Sequence, residues 1–537
     1  MPAETTFGID LGTTHSCIAW VDEAGKAVVI RNDLGEETTP SVVYFEAPMK
    51  VLVGASAKNS ALLAPQLVAA LTKRLIGTTE SAGTFHGKAY SPEEIGALIL
   101  RDLARFAEAE TGVKVENVVI TVPAYFGVAQ QQATRRAGEI AGLHVLDVLP
   151  EPVAAALNHQ APGKEAGTRH VFVCDLGGGT FDTTVIRFDD EGAVQVVCTH
   201  GDGRLGGADW DERIRDHLLA CFTREHPDLD PTRDDLFLQD VARIAEQLKK
   251  DLSSRESRTV GLRFRSAVAR ITVTRAELEE LTGDLLDRVA DVAGRTVKLA
   301  RDRGVDRFDH LVLVGGMAKM PAVARRLSDE LGLPGRLHEP DLAVAKGAAI
   351  HAAFQHVKQG GSASSLADRL TLDVAEVEAM AARKVTAVAP KAFGVMAVDS
   401  RDPIALTDPL RARKMIVHLL QANTTLPADT GPYPFAVVAD NQRMAEIEVW
   451  EQAAEYESDE LSANVRIGRG MLRNLPARPA GSPFNVTFFM SETGLLTVRA
   501  LEPASGATVS FDLQIGRMDR AAVASARADI AGHEVRG

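Results

Sequence analysis

Cysteine is scarce in this chain. There are four in 537 residues (Cys17, Cys174, Cys198 and Cys221), far apart and with no Cys-x-x-Cys pair. Such spacing offers neither a disulfide framework nor a zinc site. Cys17 and Cys174 sit inside apolar runs and read as small core residues. No apolar run approaches the roughly 20 residues that cross a bilayer. The sequence enters an apolar strand at Phe7, which leaves little room for a signal peptide, so the expected compartment is the cytoplasm. Basic charge is in deficit: 59 Lys and Arg against 73 Asp and Glu give a formal net charge of −14. That balance argues against general binding to nucleic acid or acidic membrane. The length is enough for three or four domains with sizeable cores.

What the chain does have is a run of three glycines between two aspartates, Cys174-Asp175-Leu176-Gly177-Gly178-Gly179-Thr180-Phe181-Asp182. Four apolar residues, Val171–Cys174, lead into it as a buried strand ending in a turn. The glycines let backbone N–H groups cup a phosphate without a Cβ in the way. Asp175 and Asp182 are suited to a hydrated cation beside it, for which Mg2+ is the natural candidate. An ordinary strand–turn–strand hairpin is the plain alternative. Phe7-Gly8-Ile9-Asp10-Leu11-Gly12-Thr13-Thr14 repeats the pattern, which points to two related lobes offering phosphate hairpins to one cleft. Neither turn carries a G-x-x-x-x-G-K-[ST] loop. Both are followed by strand-like residues instead of a helix, unlike a dinucleotide fingerprint. The paired turns therefore favour an ATP cleft between two lobes.

Along the chain, Lys73–Gly77 reads as the close of a helical stretch, where Lys73 would by default complement the helix dipole. Ser91-Pro92-Glu93-Glu94 is a helix start leading to about Thr111, followed by a strand at Val118–Pro123 and a helix from Gly127 to Ala141. Glu151 begins the last helix of the first lobe, and spacing alone gives it no role. In the second lobe a polar helix over 238–252 places Glu246 and Lys250 at i,i+4, a surface pair or a ribose and base contact with Lys249. Leu311–Gly316 is a buried strand ending in a Gly-Gly turn, and an Ala-rich helix runs from Asp341 to about Gln355. Gly360–Ser365 reads as flexible by composition. Beyond 385 short alternating strands predict an antiparallel sandwich.

These motifs closely resemble the 70-kDa heat-shock chaperone family of the DnaK type, over residues 7 to about 515. Gly8–Thr14, Val122-Pro123-Ala124-Tyr125-Phe126, Asp175–Asp182 and Val314-Gly315-Gly316 would also suit the wider actin and sugar-kinase superfamily. Asn423-Thr424-Thr425-Leu426-Pro427 and Ala439-Asp440-Asn441 match the family's peptide-binding sandwich. The resemblance implies an α/β actin-like two-lobed ATPase with ribonuclease-H-like repeats, followed by an antiparallel β-sandwich. The implied boundaries are lobe I at 1–168, lobe II at 169–358, a linker at 359–390, the sandwich at 391–516, and a short tail at 517–537 without a helical lid.

By position, the resemblance assigns Asp10, Asp175 and Asp182 to Mg2+, and Lys73, Glu151, Asp175 and Thr180 to catalysis. Gly12, Thr13, Thr14, Gly177, Gly178 and Gly179 would hold phosphates. Gly206, Gly207, Glu246, Lys249, Lys250, Ser253, Gly315, Gly316, Lys319 and Asp341 would surround the rest of ATP or ADP, usually with K+ nearby. Val398, Phe435, Val438, Ala445 and Ile447 would line a peptide pocket, or be plain core. The implied partners are extended polypeptide, a J-domain co-chaperone and a nucleotide exchange factor.

Some positions depart from the family pattern. His15, Lys250, Met317 and Lys319 replace usual residues around the nucleotide, and Lys250 lacks the planar fork of arginine. Gln131 replaces an interdomain Arg, while Asp147 and Pro150 alter the co-chaperone surface. The usual linker sequence survives only as Leu370–Val374 or Val385–Val388. Ala445 replaces a pocket valine, and residues 77–90 are short. The expected function is an ATP-regulated chaperone with slow hydrolysis. The alternatives are a nucleotide-switched interaction module, and less well an actin-like filament former or small-molecule kinase.

Overall fold

The computed structural model describes residues 5–159, 167–190, 193–513, 518 and 520–537. Two six-stranded sheets dominate the first part, and each is built on an apolar strand ending in aspartate or just past it. Across the first the order is His144–Pro150, Asn117–Val122, Thr6–Asp10, His15–Val21, Ala27–Val29, with Thr39–Pro40 also paired to His15–Val21. Across the second it is Gly335–Leu337, His310–Val314, Arg169–Leu176, Phe181–Phe188, Val194–Asp202, and then Val385–Thr386. In both, the central strand pairs antiparallel with its successor through the glycine turn and parallel with a later strand. The repeat expected from the two Asp-Leu-Gly turns is therefore a repeat of topology.

The Ala-rich helix Ala343–Lys358 lies against the first sheet at backbone contact. A Cβ at Gly8 would sit 2.0 Å from the Ala349 amide nitrogen, and one at Gly347 would sit 1.7 Å from the Ala154 carbonyl oxygen. Helices Glu151–His159 and Ala343–Lys358 thus cross at the base of the cleft with no side chain between them. Helix Pro92–Thr111 begins as its sequence implies: Ser91 Oγ accepts from the Glu94 amide at 3.2 Å, and Glu94 Oε2 accepts from the Ser91 amide at 2.8 Å. The stretch closing at Gly77 is shorter than expected, a single 3-10 turn over Thr72–Leu75.

Residues 359–390, expected to be a linker, are mostly ordered into the ATPase-like part. Ala363–Leu370 and Val374–Ala382 are helices whose Leu366, Ala367 and Val377 are buried with Val21 and Ala353. Leu370–Val374 joins these helices and is not the connecting strand. Val385–Thr386 adds parallel to Val194–Asp202. The following residues zip onto the Asn423–Leu426 segment: the Ala389 amide donates to Thr424 O at 2.8 Å and the Leu426 amide to Ala387 O at 2.9 Å.

The sandwich consists of one sheet ordered Lys414–Leu420, Phe393–Val398, Met444–Gln452, Asn464–Arg473, and a second formed by Ala428–Asp429 and Tyr433–Ala436 on Pro483–Met490, then Leu496–Leu501 and Thr508–Asp512. Alternation along Pro483–Met490 buries Phe484, Val486, Phe488 and Met490 between the sheets. The expected sandwich end at 516 and the start of the tail at 517 lie outside the described residues.

The sandwich leans on both lobes. On lobe II, the Thr199 amide donates to Asn423 Oδ1 at 2.7 Å, and Arg295 pairs with Glu455 at 2.8 Å. On lobe I, the buried Glu451 accepts from the Val128 amide at 3.1 Å, at the N-terminus of helix Val128–Ala141. Glu451→Ala leaves that N–H without its partner and is expected to weaken the seam by about 1–3 kcal/mol. Faster hydrogen exchange at the Val128 amide would report it.

Residues past the sandwich return to lobe I. Helix Arg520–Ala531 and strand Glu534–Arg536 dock there, the strand pairing in parallel with Lys50–Val53. Ile530 is fully buried in the lobe I core and His533 is buried beside it. The His533 ring is held at both nitrogens: Nδ1 faces Asp529 O at 3.0 Å, and Nε2 faces Tyr90 Oη at 2.9 Å. A carbonyl only accepts, so Nδ1 carries the proton and Nε2 accepts from tyrosine. Burial, with Lys88 and Arg101 adding to it and Glu94 opposing, depresses the His533 pKa below its ordinary 6.5. The docked segment therefore has its full stability above 6.5 and loses it as pH falls below that value, because only the released imidazole takes up a proton. Hydrogen exchange at the Glu534 amide, bonded to Met49 O at 2.9 Å, should accelerate relative to its intrinsic rate on acidification.

Candidate active site

The two glycine turns meet face to face. A Cβ at Gly178 would lie 2.1 Å from Thr14 Oγ1, and one at Gly179 would lie 2.4 Å from Thr13 Cγ2. Gly206 backs onto the same turn, where its Cβ would be 2.4 Å from the Gly179 nitrogen. Gly12 sends its amide to Ser16 Oγ at 3.1 Å, closing the first turn. Gly315 has φ 81° and would place a Cβ 2.3 Å from Leu176 O, so the Gly315-Gly316 turn lies directly on the end of the central strand of lobe II. Here the glycines are required by approach and not by composition.

Four carboxylates and one ammonium converge at these turns. Asp175 and Asp182 are cross-strand partners on lobe II, and Asp10 ends the matching strand of lobe I. Lys73 Nζ contacts Glu151 Oε1 at 2.6 Å, both side chains being buried. Asp10 receives only a long bond from Thr121 Oγ1 at 3.4 Å, and Asp182 Oδ1 accepts from the Tyr125 amide at 3.3 Å. Asp182 Oδ2 is buried with no hydrogen-bond partner among the described residues. Burial, then the charge of Glu151, pushes the Asp10 pKa up to about 7, with Lys73 opposing. Burial and then Glu151 also hold Asp175 and Asp182 well above the usual carboxylate range.

One lysine leaves this cluster short of positive charge, and the orphaned oxygen of Asp182 fits a cation held there. No three His, Cys, Asp or Glu side chains among the described residues are placed to ligate one ion directly. The donor set therefore fits Mg2+ held through its own waters, which few carboxylates suffice to orient.

The remaining residues expected around a nucleotide fall on two further walls. On helix Asp235–Ser254, Lys250 pairs with Glu246 at 2.7 Å, as the i,i+4 spacing implies. Glu246 also binds Lys58 of lobe I, so the pair is part of a bridge across the cleft. The buried ammonium of Lys249 is taken up by Asp211 at 2.8 Å and Gly207 O at 2.8 Å, tying the helix to the start of helix Gly207–Glu225. Ser253 Oγ donates to Lys249 O at 3.2 Å. Opposite, Lys319 is paired with Asp341 beside Gly316. His15 lies 3.3 Å from Thr14 Oγ1, and burial followed by the Lys250 and Lys58 charges lowers its pKa to about 4. It stands neutral in the cleft.

Two charged side chains at these turns escaped the sequence reading. Arg74 donates to Gly179 O at 2.9 Å and pairs with Asp209 at 2.6 Å, so it clasps the glycine turn of lobe II from lobe I. The Lys73-Arg74 doublet was the available signal for it. Lys58 gave none.

The sequence motifs of the sandwich lie apart from this cleft. Ala445 and Ile447 are buried in the core between the sheets, with Val398 and Val438 half-buried. Phe435 is half-buried between Tyr433 and Phe484, with ring centroids at 5.4 Å and 6.1 Å. Asp147 pairs with His351 at 2.9 Å on the wall of a separate groove of about 1340 Å³, which the linker strand also lines. Gln131 turns back on its own helix start, donating to Phe126 O at 2.9 Å.

The family model for "Hsp70 protein" matches residues 6–386 and 374–524. The chain belongs to the Hsp70 family. Its duplicated sheets are thereby the two lobes of the Hsp70 actin-like ATPase, and the antiparallel strands after them its β-sandwich. Hsp70 proteins in general bind ATP or ADP with Mg2+ and are ATPases. They typically bind unfolded polypeptides and co-chaperones. In this Hsp70 the cleft between the lobes carries Asp10, Glu151, Asp175 and Asp182, and the sandwich is docked on both lobes.

Proposed function

We propose that this Hsp70 is an ATP-regulated chaperone in which slow hydrolysis in the cleft sets the affinity of the sandwich for extended apolar peptide. The observation that carries the reading is the cluster of half-buried Asp10 with buried Lys73, Glu151, Asp175 and Asp182 where the two glycine turns meet. N–H groups of the Thr13–Thr14 and Gly177–Thr180 turns would hold the phosphates. Mg2+ with its waters on Asp10, Asp175 and Asp182 would neutralise charge on the β- and γ-phosphates, and K+ would add to that field. Lys73 places an ammonium where negative charge develops on the transferring group. Glu151, already bonded to Lys73, is the base for the attacking water. Arg74 and the Lys58–Glu246 bridge hold the lobes closed and keep bulk water out.

Coupling would run through the linker strand: Val385–Thr386 joins lobe II to the segment that zips onto Asn423–Leu426. The cytoplasm remains the proposed compartment. Two observations favour a second reading, a nucleotide-switched interaction module with little peptide cycling. Ala445 and Ile447 are already covered by the core, and Asp147 reverses charge on the surface proposed for a J-domain co-chaperone. Steady-state ATP hydrolysis with Mg2+, measured with and without an extended apolar peptide, separates the two. The chaperone reading expects slow turnover that peptide accelerates. Turnover indifferent to every peptide tried favours the second reading, and no turnover at all contradicts both the catalytic assignment and the first reading.

A further inference from the structure

We propose that the 520–536 segment is an intramolecular strap, seated in a groove of lobe I, that keeps the sandwich against lobe I in every nucleotide state. Nucleotide-driven motion is then confined to the seam between the sandwich and lobe II. The inference rests on the proposed nucleotide reading of the cleft only for its second half. The strap itself stands on the contacts of the segment.

The groove has a shape made for this occupant. Its wall is the edge strand Lys50–Val53, which takes Glu534–Arg536 in parallel register. Its floor is the lobe I core, where Ala526 and Ile530 are buried among residues of the sheet and of helix Pro92–Thr111. Its polar contacts answer the end of the docked helix: Arg101 donates to the Ile530 and His533 carbonyls, Tyr90 to His533, and Lys88 pairs with Asp529. Carbonyls at a helix end carry partial negative charge, which Arg101 matches. Releasing the segment would open an apolar core and strip these groups together.

Chain length turns that docking into a restraint. Seven residue steps separate Leu513, the end of the sandwich, from Arg520 in the docked helix, and seven fully extended steps reach about 25 Å. While the helix stays seated, that corner of the sandwich cannot leave lobe I by more than this distance. The same corner touches lobe I already, through Gln132 Nε2 donating to Leu513 O at 3.4 Å. Glu451 at the start of helix Val128–Ala141 is a third hold on the same lobe. On the lobe II side the holds are lighter. Among the described residues they include a two-residue strand with Val388 packed beside it, one Asn423 hydrogen bond and the exposed Arg295–Glu455 pair. A change in lobe angle around nucleotide would break the second set before the first.

Hydrogen exchange and small-angle scattering on the full chain, with no nucleotide, with Mg-ATP and with Mg-ADP, test this. The strap predicts an unchanged radius of gyration across the three states, steady protection at Glu534–Arg536 and Val128, and nucleotide-dependent protection at Val385–Thr386 and Thr199. Ile530→Asp, which drives a charge into the groove, should speed exchange at the Val128 amide at least about tenfold, with or without nucleotide. Tyr90→Phe removes only the bond to His533, and should give a smaller change of the same sign without threatening the fold. Expansion of the unaltered protein in Mg-ADP while Glu534–Arg536 stays protected would overturn the strap. So would free exchange of that segment in the unaltered protein. A dimer that Ile530→Asp converts to monomer would place the segment on a second copy and overturn the intramolecular form. A chain that binds no nucleotide still yields the Ile530→Asp and Tyr90→Phe results, so failure of the nucleotide reading and failure of the strap remain distinct.

Discussion

Lys73→Ala is expected to lower ATP turnover by about 10²–10³-fold, the usual cost of losing one preorganised group that meets developing charge. Among the described residues Lys73 is the one ammonium bonded into the carboxylate cluster, at 2.6 Å from Glu151. Its removal leaves Glu151 buried without its cation and surrounds the transferring phosphoryl group with acidic charge alone. The glycine turns and the walls that carry Glu246, Lys250 and Lys319 do not depend on it, so nucleotide affinity should change by only a few-fold. Single-turnover hydrolysis and equilibrium nucleotide binding, measured on one preparation, separate these effects. Equal losses in both would mean that Lys73 serves binding and not the chemical step.

Gly178→Val should act on the opposite parameter. Even a bare Cβ at Gly178 lies 2.1 Å from Thr14 Oγ1, 2.4 Å from Thr14 Cγ2 and 2.7 Å from Thr14 Cβ. Those contacts are impossible unless the turns of the two lobes separate, and the cleft then cannot close on phosphate. Overpacking of this kind usually costs about 1–3 kcal/mol. We expect ATP affinity to fall by at least about tenfold, which corresponds to 1.4 kcal/mol. Thr14→Ala in the same chain removes the two nearest clashing atoms and should recover part of the loss. Titration calorimetry of the single and double variants reads this directly.

Both predictions concern groups that the sequence marks by their own pattern. Asp10, Asp175 and the glycine turns were legible because each follows a buried apolar strand, and a glycine run after such a strand has few other uses. The helix at Pro92 was legible because its cap and its third residue announce it locally. Legibility failed where the reason for a residue is a partner far away. Lys58 and Arg74 act by reaching Glu246 and Asp209, which lie beyond any local pattern. Strand Asn464–Arg473 has a weak local signal because Gly468 and Gly470 interrupt its side-chain pattern. Both glycines are demanded by the other sheet, since a Cβ at Gly468 would lie 2.0 Å from Leu513 and one at Gly470 would lie 2.1 Å from Phe511. Gly360–Ser365 reads as flexible by composition, whereas Ala363 already opens a helix whose Leu366 is buried with Val21 and Ala353, partners that no local pattern reveals. The 520–536 segment could be foreseen as a short helix, but its groove is built from residues more than 400 positions earlier, including Tyr90 and Arg101.

The altered surfaces now have neighbours. Asp147 is hydrogen-bonded to His351 inside a groove that the linker strand lines, so a partner docking there meets a carboxylate already engaged by an imidazole. Lys250 and Lys319, in place of the arginines expected beside adenine, are each paired with an acid, Glu246 and Asp341. A base lying between them meets ammonium groups already engaged, which weakens any cation–π contribution.

The coupling of cleft to sandwich is tested most directly by the release of a fluorescent apolar peptide, followed with and without Mg-ATP and repeated with Lys73→Ala. The account predicts faster release when Mg-ATP is added, in both proteins, because binding and not turnover moves the seam. Release at one unchanged rate, with nucleotide shown to be bound, would contradict it.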